Sequence, residues 1–207
     1  MAKLIQGLLG SSAGKVGGIV TASWKGINYA RGYAIPANPN TTAQQTERSL
    51  FAFIVAVAKL VLASVINTYW DPFQVGKSGF NGFMSANRGA VTAVDNYDEI
   101  IMSQGSLEGE SIDAFTYATA TGATSITWTP TGLGNGADTD AAVIVIVDED
   151  NNVAFVEDAI TDRQGGESTP SIGAGRTATS LHAYLFFYRG TGEDLVVSNS
   201  SYSVGSA

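Results

Sequence analysis

The sequence predicts an α+β fold: an N-terminal β-hairpin and a long buried helix, followed by an all-β, immunoglobulin-like sandwich. Three observations carry that prediction. Two β-prone runs, Ile19 to Trp24 and Ile27 to Arg31, flank the two-residue loop Lys25-Gly26, which is the pattern of a tight hairpin. The stretch from Leu50 to Ile66 is apolar over nearly all of its 17 residues and follows Thr41 and Gln44, spaced as a capping box. From Ile112 onward the pattern changes to about seven short strands in roughly 100 residues with turn signals between them, as in a sandwich.

The elements follow in order. The hairpin emerges from a glycine-rich arm, Gly10-Ser11-Ser12-Ala13-Gly14-Lys15-Val16-Gly17-Gly18. Asn38-Pro39-Asn40-Thr41 punctuates the chain and starts a helix that runs to near Asn67. On a helical wheel Leu50, Ile54, Val57, Val61 and Val65 form one stripe, and Phe51, Val55, Ala58, Leu62 and Ile66 form the next. Ala52, Ala56, Lys59 and Ala63 line the third face. Such a helix is either central to its own domain or covered by another subunit, because an ordinary surface helix keeps a polar face. Phe80, Phe83 and Met84 suggest a short second helix packed on the first. Ser103-Gln104-Gly105-Ser106 reads as a linker, dividing a basic domain of residues 1–103 from an acidic sandwich of residues 104–207. Ile126 and Trp128 should face a core. Ala141 to Val147 lacks a polar side, as a central strand covered on both faces does. In Leu181 to Tyr188, one face holds Leu181, Ala183, Leu185 and Phe187, the other His182, Tyr184, Phe186 and Tyr188.

At 207 residues the chain can bury a sizeable core, and it has no cysteine, which removes disulfides, thiol nucleophiles and most structural zinc sites. Charged residues are only 14% of the total. They are unevenly placed: residues 1–90 carry eight cations against two acids, and residues 91–207 carry three against seventeen. Opposite charge on the two halves suits head-to-tail packing of copies, or a basic face turned toward an acidic partner. The apolar run Leu4 to Leu9 is short and broken by Gln6, so no signal peptide is read. A membrane span is not expected either: the apolar helix is about 26 Å long and carries Lys59 near its middle, where a charge costs roughly 2.5 to 3.5 kcal/mol.

Motifs for chemistry fail one by one. A phosphate loop needs four residues between its glycine and its Gly-Lys, then Ser or Thr, then a helix. Here three residues separate Gly10 from Gly14, Val16 follows Lys15, and a strand comes next. The only histidine, His182, lies inside a strand without a nucleophile elbow. Asp138, Asp140, Asp148 and Asp150 are the carboxylates that calcium would use, but their spacing does not match an EF-hand. Lys3, Lys15, Lys25 and Arg31 with Trp24 and Tyr29 could meet nucleic acid, yet no recognised motif frames them. No catalytic, cofactor-binding or metal-binding residue is assigned.

The chain resembles an uncharacterised group catalogued as a domain of unknown function, widespread in bacterial genomes and present in phages. The resemblance rests on Gly14-Lys15-Val16-Gly17, Trp24-Lys25-Gly26 and Arg31, then Asn38-Pro39-Asn40-Thr41 with Gln44 and Arg48. It continues in Asp140 before the Val/Ile strand, an Asn-containing turn, Arg163, and the closing Ser198, Ser200, Tyr202 and Gly205. It covers nearly the whole chain and implies the two-part architecture without an activity.

The sequence therefore reads as a non-enzymatic structural subunit that assembles with copies of itself and with other structural proteins, in a phage virion (capsid, spike or tail). Low surface charge, two domains of opposite sign, a helix buried on all sides and a glycine-rich N-terminal arm suggest it. A bacterial extracellular filament or tube is an alternative. So is an adhesion or carbohydrate-binding module that presents Tyr184, Tyr188 and Tyr202. The assembly interface is assigned to Lys15, Val16, Trp24, Tyr29, Arg31, Ala52, Ala56, Lys59 and Ala63, and the location to a virion or an extracellular assembly.

Overall fold

A computed structural model describes residues 2–3 by their main chain, and residues 13–35, 40–131 and 134–207 in full. Gly10 of the glycine run, residues 4–12 of the arm and Asn38-Pro39 lie outside the described residues. The chain forms two compact units, Met1–Thr42 and Ala43–Ala207.

The first unit is a four-stranded antiparallel sheet. β1 (Ala2–Lys3), β2 (Gly14–Val16), β3 (Ile19–Trp24) and β4 (Ile27–Gly32) lie in the order β1-β4-β3-β2. The expected hairpin is β3 and β4. Trp24 pairs with Ile27, and the loop residues Lys25 and Gly26 both take positive φ, 49° and 77°. A two-residue hairpin of this kind demands left-handed backbone at both loop positions, and Gly26 supplies it without steric cost.

The second unit is a helical layer on a five-stranded sheet, backed by a three-stranded sheet. α1 (Thr42–Leu60) leads into a π-helical turn (Leu62–Ile66), then α2 (Asn67–Tyr69) and α3 (Gly79–Ala90). β5 (Ile112–Ala118), β6 (Ala123–Trp128) and the short β9 (Glu167–Ser168) make the smaller sheet, in the order β5-β6-β9. The larger sheet takes β7 (Ala141–Asp148), β8 (Val153–Asp162), β10 (Leu181–Arg189), β11 (Val196–Val197) and β12 (Ser201–Val204). Its order is β11-β10-β7-β8, with β12 also paired to β10. All the pairings are antiparallel.

Strands β7 and β10 explain why the sequence loses its polar alternation there. Val143, Val145, Val147, Tyr184 and Phe186 join one apolar cluster with Leu50, Phe53, Ile54, Val57, Val61, Val65 and Ile66 from the helices. Ala142, Ile144, Ile146, Leu181, Ala183, Leu185 and Phe187 join a second cluster with Phe115, Tyr117, Ile126 and Trp128 of the smaller sheet. A strand covered on both faces has no place for a polar side chain. The fold is α+β with a sandwich-like C-terminal part. Ile126, Trp128 and the two faces of β10 lie as the sequence predicts, and Phe83 of α3 packs against Trp70 with ring centroids 5.5 Å apart.

The long helix differs from its expected form. It breaks after Leu60 and bends by 71° into the following segment. Within the turn the N–H of Ile66 donates to the carbonyl of Val61, a five-residue step, which rotates the buried side by about one residue. Upstream, in regular α1, Phe53 shares the buried side with Leu50, Ile54, Val57 and Ala58, while Phe51 of the same helix and Leu62 of the turn are exposed. No single helix among the described residues is long and apolar enough to cross a membrane.

The sequence reading divides the chain at residue 103, whereas the compact units part at Thr42. Helices of residues 43–90 share a cluster with β7 and β10, so the segment between them is stitched in rather than free. The buried Ser103 hydroxyl donates to the Ser198 carbonyl at 2.7 Å, and the Met102 N–H donates to Ser200 Oγ at 3.0 Å. A Cβ on Gly105 would sit 2.0 Å from the Val197 carbonyl oxygen, which is why this position is glycine.

Candidate interaction surface

Register fixes which side chains of the small sheet share a face. Lys15 pairs with Val20 and Val20 with Arg31; Ala22 pairs with Tyr29 and Trp24 with Ile27. Paired residues project to the same side and strand neighbours to the opposite one. One face therefore carries Lys15, Val20, Ala22, Trp24, Ile27, Tyr29 and Arg31. Lys15 and Arg31 flank Val20, about 10 Å apart at two strand spacings. Val16 pairs with Ile19 and goes to the other face.

Four of the five N-terminal residues assigned to an interface, Lys15, Trp24, Tyr29 and Arg31, thus lie together, and Val16 does not. Val20, Ala22 and Ile27 belong to the same face. They could have been found by applying period-two alternation outward from the Lys25-Gly26 loop.

None of the described residues 13–35 is buried. Trp24 is 64% exposed and Val16 75%. The Lys15 ammonium lies 3.5 Å from the centre of the Tyr33 ring, and the Lys25 ammonium 5.0 Å from that of Trp24. Both are placed for cation–π attraction of about 0.5 to 1 kcal/mol at an exposed site. The unit has four cations, Lys3, Lys15, Lys25 and Arg31, and no acid; residues 43–207 hold seven cations against nineteen acids, a net charge of −12.

The helical part of the assigned interface, Ala52, Ala56, Lys59 and Ala63, is exposed along α1 and the π-helical turn. Phe51, 53% exposed, and Leu62 lie beside it. This set belongs to the other compact unit.

Other charged and aromatic groups serve the interior of the second unit. His182 stacks on Tyr97 with ring centroids 4.0 Å apart. Its Nδ1 is 2.9 Å from the Tyr202 hydroxyl and its Nε2 3.3 Å from Glu149. Burial pulls its pKa below the usual imidazole value, against the opposing pull of Glu149. Burial also pushes the Tyr97 hydroxyl up to about 12, helped by Glu149 and Asp95.

Arg163 is fully buried. It donates to Glu110 at 2.9 Å, lies 3.3 Å from Asp140, and packs over the Phe187 ring at 4.3 Å. The other oxygen of Asp140 is 3.0 Å from Arg189 Nε. Asp148 pairs with Arg176 and accepts two hydrogen bonds from Asn151. Burial raises its pKa, but these donors overcome the burial and hold it below the ordinary value. Two of the four aspartates that calcium would use, Asp140 and Asp148, are thus committed to guanidinium groups. Among the described residues no group of three or more His, Asp or Glu is arranged to hold a metal.

The tyrosines assigned to a glycan platform are not an exposed set. Tyr184 is fully buried and donates to the Tyr97 carbonyl at 2.7 Å. Tyr188 packs on Tyr69 with centroids 5.1 Å apart, and Tyr202 bonds His182. Lys15 lies in a strand that leads into another strand, so no helix N-terminus stands behind it.

A model of a family described only as of unknown function, DUF6266, matches residues 11–205. No curated protein and no solved structure matches the chain.

Proposed function

This chain belongs to the DUF6266 family of unknown function, and from that premise we propose that it is a non-enzymatic structural subunit that assembles with copies of itself and with other structural proteins. We assign the assembly to a phage virion, as a capsid, spike or tail component, with an extracellular filament or tube as the alternative setting. One observation carries the reading: the first unit exposes an apolar, cationic sheet face with Trp24 at its end, and none of its described residues is buried. A single sheet layer gains stability by burying a face against another layer. The partner charge that suits this face is on the remainder of the chain, net −12.

The test is light scattering and electron microscopy of the purified full chain across salt. Particles or tubes are expected at about 0.1 M salt and should weaken toward about 1 M, as the screening length falls from about 10 Å to about 3 Å. A chain that stays monomeric at high concentration and low salt refutes the reading.

A further inference from the structure

We infer that assembly is head to tail: the cationic sheet face of one copy seats on the acidic rim formed by β8 and β9 of the next. The inference rests on the self-assembly proposed above and names the two surfaces that meet.

The donor surface is the face bearing Lys15, Val20, Trp24, Ile27, Tyr29 and Arg31. The acceptor is an edge. β8 is the last strand of the larger sheet and pairs only with β7. Glu157, Asp158 and Asp162 lie on it, and Glu167 on β9 beside it, where Ser168 Oγ donates to Glu157 at 3.0 Å. Neither strand has a lysine or arginine. Arg163, which follows β8 directly, is wholly buried on Glu110 and Asp140 and presents no charge at the rim.

The rim also has an apolar element. Between Ala141 and Val143 the β7–β8 register shifts, Ala159 takes a φ of 54°, and Ile160 is left 67% exposed. A bulge that pushes an isoleucine outward on a strand bearing three carboxylates, with Glu167 on the neighbouring strand, matches a face of apolar side chains flanked by two cations.

Charge decides the mode of pairing. Two sheet faces brought together would oppose cation to cation, and two rims would oppose carboxylate to carboxylate; like charges across an interface cost several kcal/mol. Only the unlike pairing is favoured. An interface between two different patches is heterologous, so it propagates to a ring or an open filament rather than closing as a two-fold dimer.

Reciprocal charge reversal tests this. One variant carries K15E and R31E, and a second carries I160K, D162K and E167K, which turns the rim from four negative charges to a net positive one; all five positions are exposed. Circular dichroism and thermal melting establish that both fold as the parent does. By sedimentation velocity each variant alone should associate on the order of a hundredfold more weakly than the parent. An equimolar mixture should recover particles, because each reversed surface then meets its complement on the other chain.

If the parent assembles and either variant still assembles alone, or the mixture stays dispersed, the head-to-tail assignment is wrong while self-assembly stands. If the parent itself never assembles, the function proposed above fails and this inference with it.

Discussion

His182 shows how a residue that suggests catalysis can be held for structure. Its ring lies between Tyr97 and Tyr202, and its two nitrogens face the Tyr202 hydroxyl and Glu149. Burial lowers its affinity for a proton. The unfolded chain takes up a proton as the pH falls below about 6.5, whereas the folded ring resists it. Protonation therefore favours unfolding, and the stability contributed at neutral pH is lost as pH falls through the folded value. Urea midpoints measured from pH 7.5 down to about 5 should decline in the parent. They should decline less in His182→Phe, which keeps an aromatic ring against Tyr97 but cannot titrate. Equal slopes would mean that the ring binds its proton alike in the folded and unfolded chain, with no effect of its burial.

The helical layer shows what an element gains from one-sided cover. Ile54 is fully buried against the sheet, while Ala56, two residues on, is exposed. Ile54→Ala should cost about 2 to 5 kcal/mol, as deletion of a buried isoleucine does. Ala56→Ser should change stability by no more than about 0.5 kcal/mol, the usual range for a surface position. Chemical denaturation would measure both. A large loss at Ala56 in dilute monomer would place that face in the interior. At the same scale, the π-helical turn lets the chain leave α1 at an angle while keeping Val61, Val65 and Ile66 in the core.

In the whole molecule, charge and exposure divide in the same place. The first unit is basic and has no buried residue among 13–35, and the second is acidic with two large apolar clusters. The three tryptophans report on this division. Trp24 is 64% exposed, while Trp70 and Trp128 are buried, their indole N–H groups donating at 2.8 Å to the carbonyls of Met102 and Arg163. Acrylamide should quench about one third of the tryptophan emission in the dilute chain, and Trp24→Phe should remove that accessible fraction. Upon assembly Trp24 should become protected. A Trp24 that stays open in assembled particles would remove the sheet face from the interface.

Local pattern alone determined the hairpin, because two β-prone runs around Lys25-Gly26 leave only one tight loop geometry that fits. It also determined β7 and the two faces of β10, whose unbroken or doubled apolar pattern requires cover on both sides. The cationic residues of the interaction surface were legible as residue types, and their common face followed once the loop fixed the register. The bend after Leu60, the burial of Phe53 in place of Phe51, and the seating of Ser103 against the final strands were decided by tertiary structure. Each depends on contacts between residues far apart in the chain: helix against β7 and β10, and Ser103 against Ser198 across 95 positions. Wheel and propensity arguments see only neighbours. They can name an apolar stripe, but not the partner that selects which side of it is buried.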